Sequence, residues 1–189
     1  INGLLESPVA LIPDINSNLQ KLYDKYLFSS LDLRYAYMAV GISEESKGLT
    51  TFLTPNGSYQ WNVLPTGLAS SPSYFTEFIH KILFFEPVLT KEGVPIREID
   101  GTVKLRPAPA PDTNSFFDDI LIGTSLEKTY QLCLDVHFLK LEVMVSRLAF
   151  HNSKINTRKC LFGQTSIKYL GWHISHNFVI ADPGRLAKI

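Results

Sequence analysis

Apolar residues recur at helical spacing in three parts of the chain. The first recurrence follows Asp14 and predicts a helix over residues 15–25. The second predicts a helix for which Ser71 is the cap. The third predicts a long helix that ends near Phe150. The start of that helix is indicated by Thr124-Ser125-Leu126-Glu127, which has the pattern of a capping box.

Short apolar and β-branched runs between these helices predict strands. Phe28, Leu31 and Leu33 indicate a buried strand, and residues 37–42 are expected to form a further strand or extended segment. Asn56-Gly57 between two strand-like runs is a strong hairpin signal. The remaining predicted strands lie at residues 49–54, 58–63, 115–117, 120–123, 159–162, 167–170, 172–175 and 178–180.

Residues 84–115 differ in composition from the rest of the chain, because they contain five of its eleven prolines. Two strand-like runs, 94–99 and 102–106, flank Asp100-Gly101, so a hairpin is expected within this segment. Ala108-Pro109-Ala110-Pro111 should be extended and polyproline-like. The segment is therefore interpreted as an insertion that returns to the core at Ser115.

The overall composition narrows the class of protein. The 189 residues suffice for one domain or slightly more. No apolar run is long enough to span a membrane. The first residues lack an initiator Met and a signal pattern, so the chain is expected to be a piece of a longer protein. Cys133 and Cys160 form no close pair, which argues against a disulfide framework or a zinc cage and fits a reducing, intracellular compartment.

Charge is distributed unevenly along the chain. The formal net charge is zero, which does not indicate a nucleic-acid-binding protein. However, six basic residues and one acidic residue lie between Lys140 and Leu170. Such segregation can mark a face that contacts phosphate, or an ordinary solvated surface. On charge alone, the solvated surface is the simpler interpretation.

One pair of acidic residues lies where ionisation of the carboxyl groups is unfavourable. Asp118 and Asp119 lie between two phenylalanines and an aliphatic run. Apolar surroundings and like charges both oppose ionisation of these carboxyl groups. One explanation is a tight turn, in which Asp side chains bond the backbone. The other is a metal site at a hairpin tip, where divalent cations offset the repulsion.

Asp32 is the third carboxylate of interest. It stands between Leu31 and Leu33 at the end of a predicted strand, where it either caps the next turn or needs a partner. If its strand pairs with the one that carries the acidic pair, Asp32 and Asp118 meet at one edge. Three carboxylates without nearby thiols or imidazoles suit hard cations such as magnesium. Two such ions about 4 Å apart serve in-line phosphoryl transfer.

Five blocks of the sequence follow one another in a characteristic order. They are Leu11-Ile12-Pro13-Asp14-Ile15; Phe28-Ser29-Ser30-Leu31-Asp32-Leu33 with Tyr37; Leu64-Pro65-Thr66-Gly67-Leu68 with Ser71-Pro72 and Phe75; Phe116-Phe117-Asp118-Asp119; and Lys159-Cys160 with Phe162, then Tyr169-Leu170-Gly171-Trp172-His173-Ile174-Ser175. In this order they resemble reverse transcriptases, most closely those of gypsy-like long-terminal-repeat retrotransposons. The resemblance covers nearly the whole chain apart from residues 84–115.

The resemblance implies an α+β fold, the right-hand polymerase palm with an antiparallel sheet backed by helices, a ferredoxin-like core and part of the fingers. It implies one partial fingers–palm domain over residues 1–189. The implied activity is that of an RNA-directed DNA polymerase, a nucleotidyltransferase that adds dNTPs to a primer 3′-hydroxyl on an RNA or DNA template. Two Mg²⁺ ions, which Mn²⁺ can replace, would serve as cofactors.

The resemblance also implies that thumb and ribonuclease H segments of a longer polyprotein complete the enzyme. It implies no membrane partner. The expected location is intracellular, in the cytoplasm or within virus-like particles.

The resemblance assigns three groups of site residues. The catalytic and metal-binding group consists of Asp32, the Leu33 carbonyl, Asp118 and Asp119. The nucleotide-binding group consists of the Tyr35 and Ala36 N–H groups, Tyr37 under the sugar, and Pro65, Thr66 and Gly67 beside the nascent base pair. The primer and template group consists of Phe116, Phe117, Lys159, Leu170, Gly171 and Trp172.

Several alternatives remain open from the sequence. Tyr37 can be a steric gate against the 2′-hydroxyl or a core residue, and Lys159 can contact phosphate or lie on the plain surface. Phe116 replaces the tyrosine usual in this family, and Thr66 departs from most relatives, which puts fidelity and nucleotide geometry in doubt. The chain could also be a decayed or co-opted copy that acts as a nucleic-acid-binding or scaffolding module, or a polymerase that copies DNA.

Overall fold

The structure, a computed structural model, describes residues 15–91, 94–110 and 112–186. The α-helices of this part are α1 (Ile15–Gln20), α2 (Glu44–Lys47), α3 (Ser71–Phe84), α4 (Tyr130–Phe150) and α5 (Pro183–Leu186). The strands are β1 (Lys25–Arg34), β2 (Phe52–Thr54), β3 (Gly57–Tyr59), β4 (Phe85–Pro87), β5 (Leu105–Pro107), β6 (Thr113–Phe116), β7 (Asp119–Ser125), β8 (Lys154–Ile155), β9 (Leu161–Gln164), β10 (Ser166–Tyr169), β11 (Trp172–Ser175) and β12 (Phe178–Ala181). Two 3-10 helices, Ala36–Ala39 and Gly48–Thr50, link β1 to β2.

The central sheet is antiparallel and has the order β6-β7-β1-β8, with β9 also pairing with β1. Its middle strands are apolar on both sides; Ile120, Leu121 and Ile122 of β7 are all fully buried. Consecutive strand residues point to opposite faces, so both faces of the sheet must be covered. The sheet therefore forms the centre of the molecule, with a core on each side.

One face of the sheet packs against α3 and α4. This core consists mainly of Leu31, Leu33, Phe75, Ile79, Ile82, Ile120, Ile122, Leu141, Met144 and Leu148. The other face packs against α1 and the small antiparallel sheet β10-β11-β12. That second core consists of Leu19, Leu22, Phe28, Leu121, Ile167, Tyr169 and Ile174. The arrangement matches the expected antiparallel sheet backed by helices.

The link after β1 differs from its predicted form. Residues 37–42 were expected to be extended, but Ala36–Ala39 is a 3-10 helix. Tyr35 adopts a left-handed conformation with φ 52°, and its carbonyl accepts a hydrogen bond from the Met38 N–H at 2.8 Å. This local turn overrides the strand propensity of the residues that follow. The predicted helix over residues 15–25 also ends early, at Gln20, because Lys25 already belongs to β1.

Both predicted helix caps are wrong. The Ser71 hydroxyl donates to the Pro65 carbonyl at 2.7 Å, and Ser70 occupies the cap position instead. The capping-box pattern at residues 124–127 does not start α4, because Thr124 and Ser125 end β7. The actual cap is Thr129, whose hydroxyl accepts the Leu132 N–H at 3.2 Å.

The acidic pair is shifted by one residue from its predicted place. The turn was expected at Asp118-Asp119, but it consists of Phe117 and Asp118, and Asp119 is the first residue of β7. Phe117 has φ 53°, a left-handed conformation that fits the tight connection of β6 to β7. The β2–β3 hairpin is also shorter than expected. Each strand has three residues, whereas strands were expected over residues 49–54 and 58–63.

Residues 84–115 contain the expected hairpin. β4 pairs with β5, and the Glu98 N–H donates to the Thr102 carbonyl at 2.8 Å next to the Asp100-Gly101 turn. The base of the segment is held by Arg147 of α4, which donates to the Leu83 carbonyl at 2.9 Å and pairs with Glu86 at 3.6 Å. The role of this segment and the boundaries of the predicted domain stay predictions.

In the described part of the chain, no helix is long and apolar enough to cross a membrane.

Candidate functional site

Three carboxylates meet at one end of the paired strands β1 and β7. Asp32 and Asp119 stand opposite each other in the antiparallel register, as the last pair of this ladder. The Leu33 N–H donates to the Asp118 carbonyl at 3.3 Å, which fixes the turn against the end of β1. The structure thus brings together the three acidic residues that the sequence singled out, and places the Leu33 backbone beside them.

The carboxylates act on one another electrostatically. Burial raises the pKa of Asp119, and the negative charges of Asp118 and Asp32 raise it further, against a smaller opposing effect of Lys159. Among the described residues, no group of three or more His, Cys, Asp or Glu side chains is gathered closely enough to hold a metal ion. Like charges repel one another, and the three carboxylates converge at the sheet edge without forming a cage.

The turn between β8 and β9 contacts Asp32 on the side opposite β7. The Asn156 N–H donates to the Asp32 carbonyl at 2.9 Å, and the Asp32 N–H donates to the Cys160 sulfur at 3.4 Å. Lys159 Nζ lies 3.6 Å from Asp32 Oδ2. Burial raises the pKa of the Cys160 thiol, and the charge of Asp32 adds to this, so the group stays protonated at neutral pH. The backbone N–H, the carbonyl and Oδ2 of Asp32 therefore all have a contact on this side.

The predicted nucleotide-binding residues of the first block follow directly after β1. Tyr35 is exposed and carries the Arg34 guanidinium 4.9 Å from its ring centroid, whereas Ala36 is buried. Tyr37 packs its ring 5.0 Å from that of Phe75. Burial raises the pKa of the Tyr37 hydroxyl, and the charge of Asp118 raises it further. Tyr37 thus lies both in the core and within electrostatic range of the carboxylates, so packing and gating are compatible roles.

Pro65, Thr66 and Gly67 form the loop that leads into α3. Pro65 is buried, and its carbonyl accepts the Ser71 hydroxyl. Thr66 and Gly67 are exposed, and Gly67 has φ 94°, a conformation that favours glycine. The structure therefore gives this loop a fixed shape next to the helix that supports Tyr37.

The predicted primer residues Leu170, Gly171 and Trp172 form the β10–β11 connection. Leu170 and Gly171 have φ 49° and 77°, which is the two-residue turn expected of a tight hairpin. Leu170 and Trp172 pack against the same core cluster as Phe116. Burial raises the pKa of the neighbouring Tyr169, and the charge of Asp119 contributes. The hairpin therefore lies on the sheet face next to the acidic tip.

Phe116 and Phe117 begin the turn. Phe116 pairs with Asp119 in the β6–β7 register, and its ring meets that of Phe117 edge-on at 4.9 Å. Both rings are half-buried. The missing hydroxyl of Phe116 is consistent with its packing against the apolar second core, where a hydroxyl group would need a partner.

Sequence reasoning missed Asn156 and Asp182 as supports of the site. Asn156 binds the backbone of Asp32, and the Asp182 N–H donates to the Gly171 carbonyl at 3.0 Å. No sequence pattern connects Asn156 to a strand more than a hundred residues earlier. Cys160 belongs to the last of the five sequence blocks, but the sequence predicted no contact between it and Asp32.

Comparison with known proteins identifies the family. The family model described as "Reverse transcriptase (RNA-dependent DNA polymerase)" matches residues 3–174. The chain belongs to this reverse transcriptase family. The chain is 28% identical over 178 residues to a retrovirus-related Pol polyprotein from transposon opus of Drosophila melanogaster, and 26% identical over 175 residues to the transposon Tf2-3 polyprotein of Schizosaccharomyces pombe. These matches confirm the predicted resemblance to retrotransposon reverse transcriptases.

The reverse transcriptase domain covers only part of these relatives. The two matches include 94% and 93% of this chain, but 15% and 11% of the respective polyproteins. Among solved structures, a foamy viral protease–reverse transcriptase in complex with double-stranded DNA is similar, with a TM-score of 0.75 and 19% identity over 99% of this chain and 28% of that one. The same viral protein in complex with an RNA/DNA hybrid has a TM-score of 0.67, with 19% identity over 99% of this chain and 21% of that one. The likeness confirms the predicted polymerase fold.

Proposed function

We propose that this chain is the fingers–palm part of an RNA-directed DNA polymerase that adds dNTPs to the 3′-hydroxyl of a primer. One observation carries the proposal. Asp32 and Asp119 face each other in the β1–β7 register, with Asp118 at the adjoining turn. A protein has little structural reason to collect three repelling carboxylates at one sheet edge, because their mutual repulsion opposes folding.

The residues at the tip fit divalent metal ions, which members of the reverse transcriptase family use. The donors are carboxylate oxygens and a backbone carbonyl, and hard cations such as Mg²⁺ prefer oxygen ligands. Burial raises the pKa of Asp119, the charges of Asp118 and Asp32 add to this, and cations would relieve the repulsion among the three carboxylates. Asp32, Asp118, Asp119 and the Leu33 carbonyl would hold two Mg²⁺ ions, or Mn²⁺ in their place. The ions would activate the primer hydroxyl and stabilise the leaving oxygen.

The remaining residues would position the substrates. The N–H groups of Tyr35 and Ala36 lie at the left-handed turn after β1, where successive N–H groups can bind an anion such as a triphosphate. Tyr37, stiffened by its contact with Phe75, would lie under the deoxyribose and exclude a 2′-hydroxyl. Pro65, Thr66 and Gly67 would form the wall beside the nascent base pair.

The template and primer would lie over the hairpin next to the tip. Leu170, Gly171 and Trp172 would contact the primer, together with Phe116 and Phe117. Lys159 would contact phosphate when it is released from Asp32. The two relatives are longer polyproteins, of which this chain matches 15% and 11%. We further propose that thumb and ribonuclease H segments complete the enzyme, and that it acts in the cytoplasm or in virus-like particles.

Primer extension on an RNA template tests the function. In the full-length protein that contains this chain, Asp118→Ala should reduce extension at least about a thousandfold, because a metal site supplies several kcal/mol of transition-state stabilisation. The matched control is Asp135→Ala, an exposed aspartate of α4 that contacts Gln131 of its own helix. Extension by the control should be unchanged. Equal extension by Asp118→Ala and the unmodified protein would refute the proposal.

A further inference from the structure

The backbone of Asp32 lies at a gap between two strand partners. On the side away from β7, β1 pairs with β9 as far as Ser30, opposite Leu161, and with β8 from Leu33 onward, opposite Ile155. Neither strand supplies a ladder partner to Asp32 itself. A buried peptide group without a partner is costly, so another part of the chain must bind it.

The turn from Asn156 to Cys160 supplies both missing partners. The Asn156 N–H donates to the Asp32 carbonyl at 2.9 Å, and the Asp32 N–H donates to Cys160 Sγ at 3.4 Å. The thiol in turn donates to the Asn156 carbonyl at 3.3 Å. Asp32, Asn156 and Cys160 therefore close a ring of hydrogen bonds in which the sulfur atom is both acceptor and donor.

The thiol is the one side chain in this ring. Cys160 is buried, and Ile155 and Cys160 both pack against the core beneath the sheet. An alanine at this position would leave the Asp32 N–H without its acceptor. A serine would keep a donor and an acceptor. Its Cβ–O bond is shorter than the Cβ–S bond of cysteine and its oxygen is smaller than sulfur, so it would fill the position less well. The Asn156 carbonyl would still accept the Lys159 N–H, which lies at 2.9 Å, so the turn itself would persist.

We infer that Cys160 is a positioning residue for Asp32, holding the backbone from which this carboxylate projects toward the metal ions. The inference rests on the proposed function, since it concerns the same site. Groups that orient metal ligands typically change metal affinity or activity by about tenfold to a hundredfold when they are removed. The effect should appear in kcat and in metal affinity, and less in the KM for dNTPs, because the hydrogen bonds of Cys160 join it to Asp32 and Asn156.

The chain offers a matched control in its other cysteine. Cys133 is also buried and donates through its sulfur to a backbone carbonyl, that of Ser125, at 3.4 Å. It lies at the start of α4, near the end of β7 remote from the three carboxylates. Cys133→Ala should therefore cost a similar packing and hydrogen-bond contribution without disturbing Asp32.

The experiment compares both variants in the full-length protein. We expect Cys160→Ala to weaken Mn²⁺ binding, measured by electron paramagnetic resonance, by about tenfold or more and to lower kcat by a similar factor. Cys160→Ser should recover part of both losses. Cys133→Ala should match the unmodified protein in Mn²⁺ affinity and in kcat, even if its melting temperature falls as far as that of Cys160→Ala.

A second readout is independent of polymerase activity. Hydrogen exchange of the Asp32 amide should be faster in Cys160→Ala and unchanged in Cys133→Ala. If Asp118→Ala abolishes extension while Cys160→Ala and Cys133→Ala bind Mn²⁺ and turn over equally, the polymerase assignment survives and the positioning role is overturned. An unchanged exchange rate at Asp32 in Cys160→Ala would also overturn it.

Discussion

The two ends of the β1–β7 strand pair differ in how far their carboxylates are paired with lysines. At one end, Asp32, Asp118 and Asp119 face one another and share a single lysine, Lys159, at 3.6 Å from Asp32. At the other end, Lys25 lies 3.2 Å from Asp24 and 3.1 Å from Asp112, and Lys140 also pairs with Asp112. Both ends of the strand pair thus have carboxylates nearby, but among the described residues lysines neutralise them fully only at the end near Lys25.

The pKa values express this difference. Burial alone would raise the pKa of Asp112, but its hydrogen bonds and charge interactions with Lys140 and Lys25 outweigh burial and lower it. At the tip, burial and neighbouring carboxylates act in the same direction and raise the pKa of Asp119. Charges that stabilise the fold are paired within the protein. Charges left unpaired at a sheet edge are available to bind cations from solution.

The largest effect on stability is expected at the paired end. Lys25→Met keeps the apolar stem and leaves Asp24 without its cation. The Lys25 side chain is 10% exposed, but Asp24 and Asp112 are 64% and 38% exposed, and Asp112 keeps its pair with Lys140. The loss should therefore be about 2 kcal/mol, below that of a broken buried pair. Urea denaturation measures it. Lys128→Met, an exposed lysine without an ion pair among the described residues, should change stability by less than about 0.5 kcal/mol. Equal losses for both variants would remove the contrast.

A smaller effect should follow from crowding the same lysine. A Cβ atom at Gly123 would lie 2.7 Å from Lys25 Cγ and 3.2 Å from Lys25 Cβ. These atoms lie near the root of the side chain and cannot move away freely, so Gly123→Ala should cost about 1 to 2 kcal/mol. In a Lys25→Ala background the 2.7 Å contact with Cγ is absent and only the 3.2 Å contact with Cβ remains, so the added cost of Gly123→Ala should fall to less than half. A cost that is the same in both backgrounds would show that Lys25 is not the obstacle.

The smallest effect is the change of folding stability with pH. Asp112 has a lowered pKa, so its stabilising contribution is complete above the unfolded value near 3.9 and is lost as the pH falls through the folded-state pKa. Asp119 has a raised pKa, so stability falls as the pH rises from near 3.9 through the folded-state pKa. Without metal ions, Asp119→Asn should therefore raise stability at pH 7, whereas Asp112→Asn should lower it. Denaturation at pH 7 in EDTA checks both signs, and the same sign for both would contradict the comparison.

The sequence was sufficient to predict the approach of Asp32 to the acidic pair. When a strand that ends in a carboxylate pairs antiparallel with a strand that begins with one, both carboxylates lie at the same edge, whatever the details of the loops. The family resemblance then added the order of the blocks.

Other features could not be read from the sequence because they depend on contacts remote along the chain. The left-handed Tyr35 starts a 3-10 helix where apolar residues suggested a strand. The capping-box pattern at Thr124 is overridden because β7 continues through Ser125. Cys160 and Asn156 bind Asp32 through a turn whose shape is set by β8 and β9. Local patterns predict local structure, and these contacts are not local.

A magnesium titration of thermal unfolding tests the central claim most directly. A ligand that binds the folded state raises the melting temperature by mass action. The unmodified full-length protein and Asp24→Asn, altered at the paired end, should both gain several degrees with added Mg²⁺, whereas Asp32→Asn should gain almost nothing. Such a result would also exclude a chain that keeps the fold without a working site. An equal gain for Asp32→Asn, or no gain for any of the three proteins, would contradict a metal-dependent site at the tip of β1 and β7.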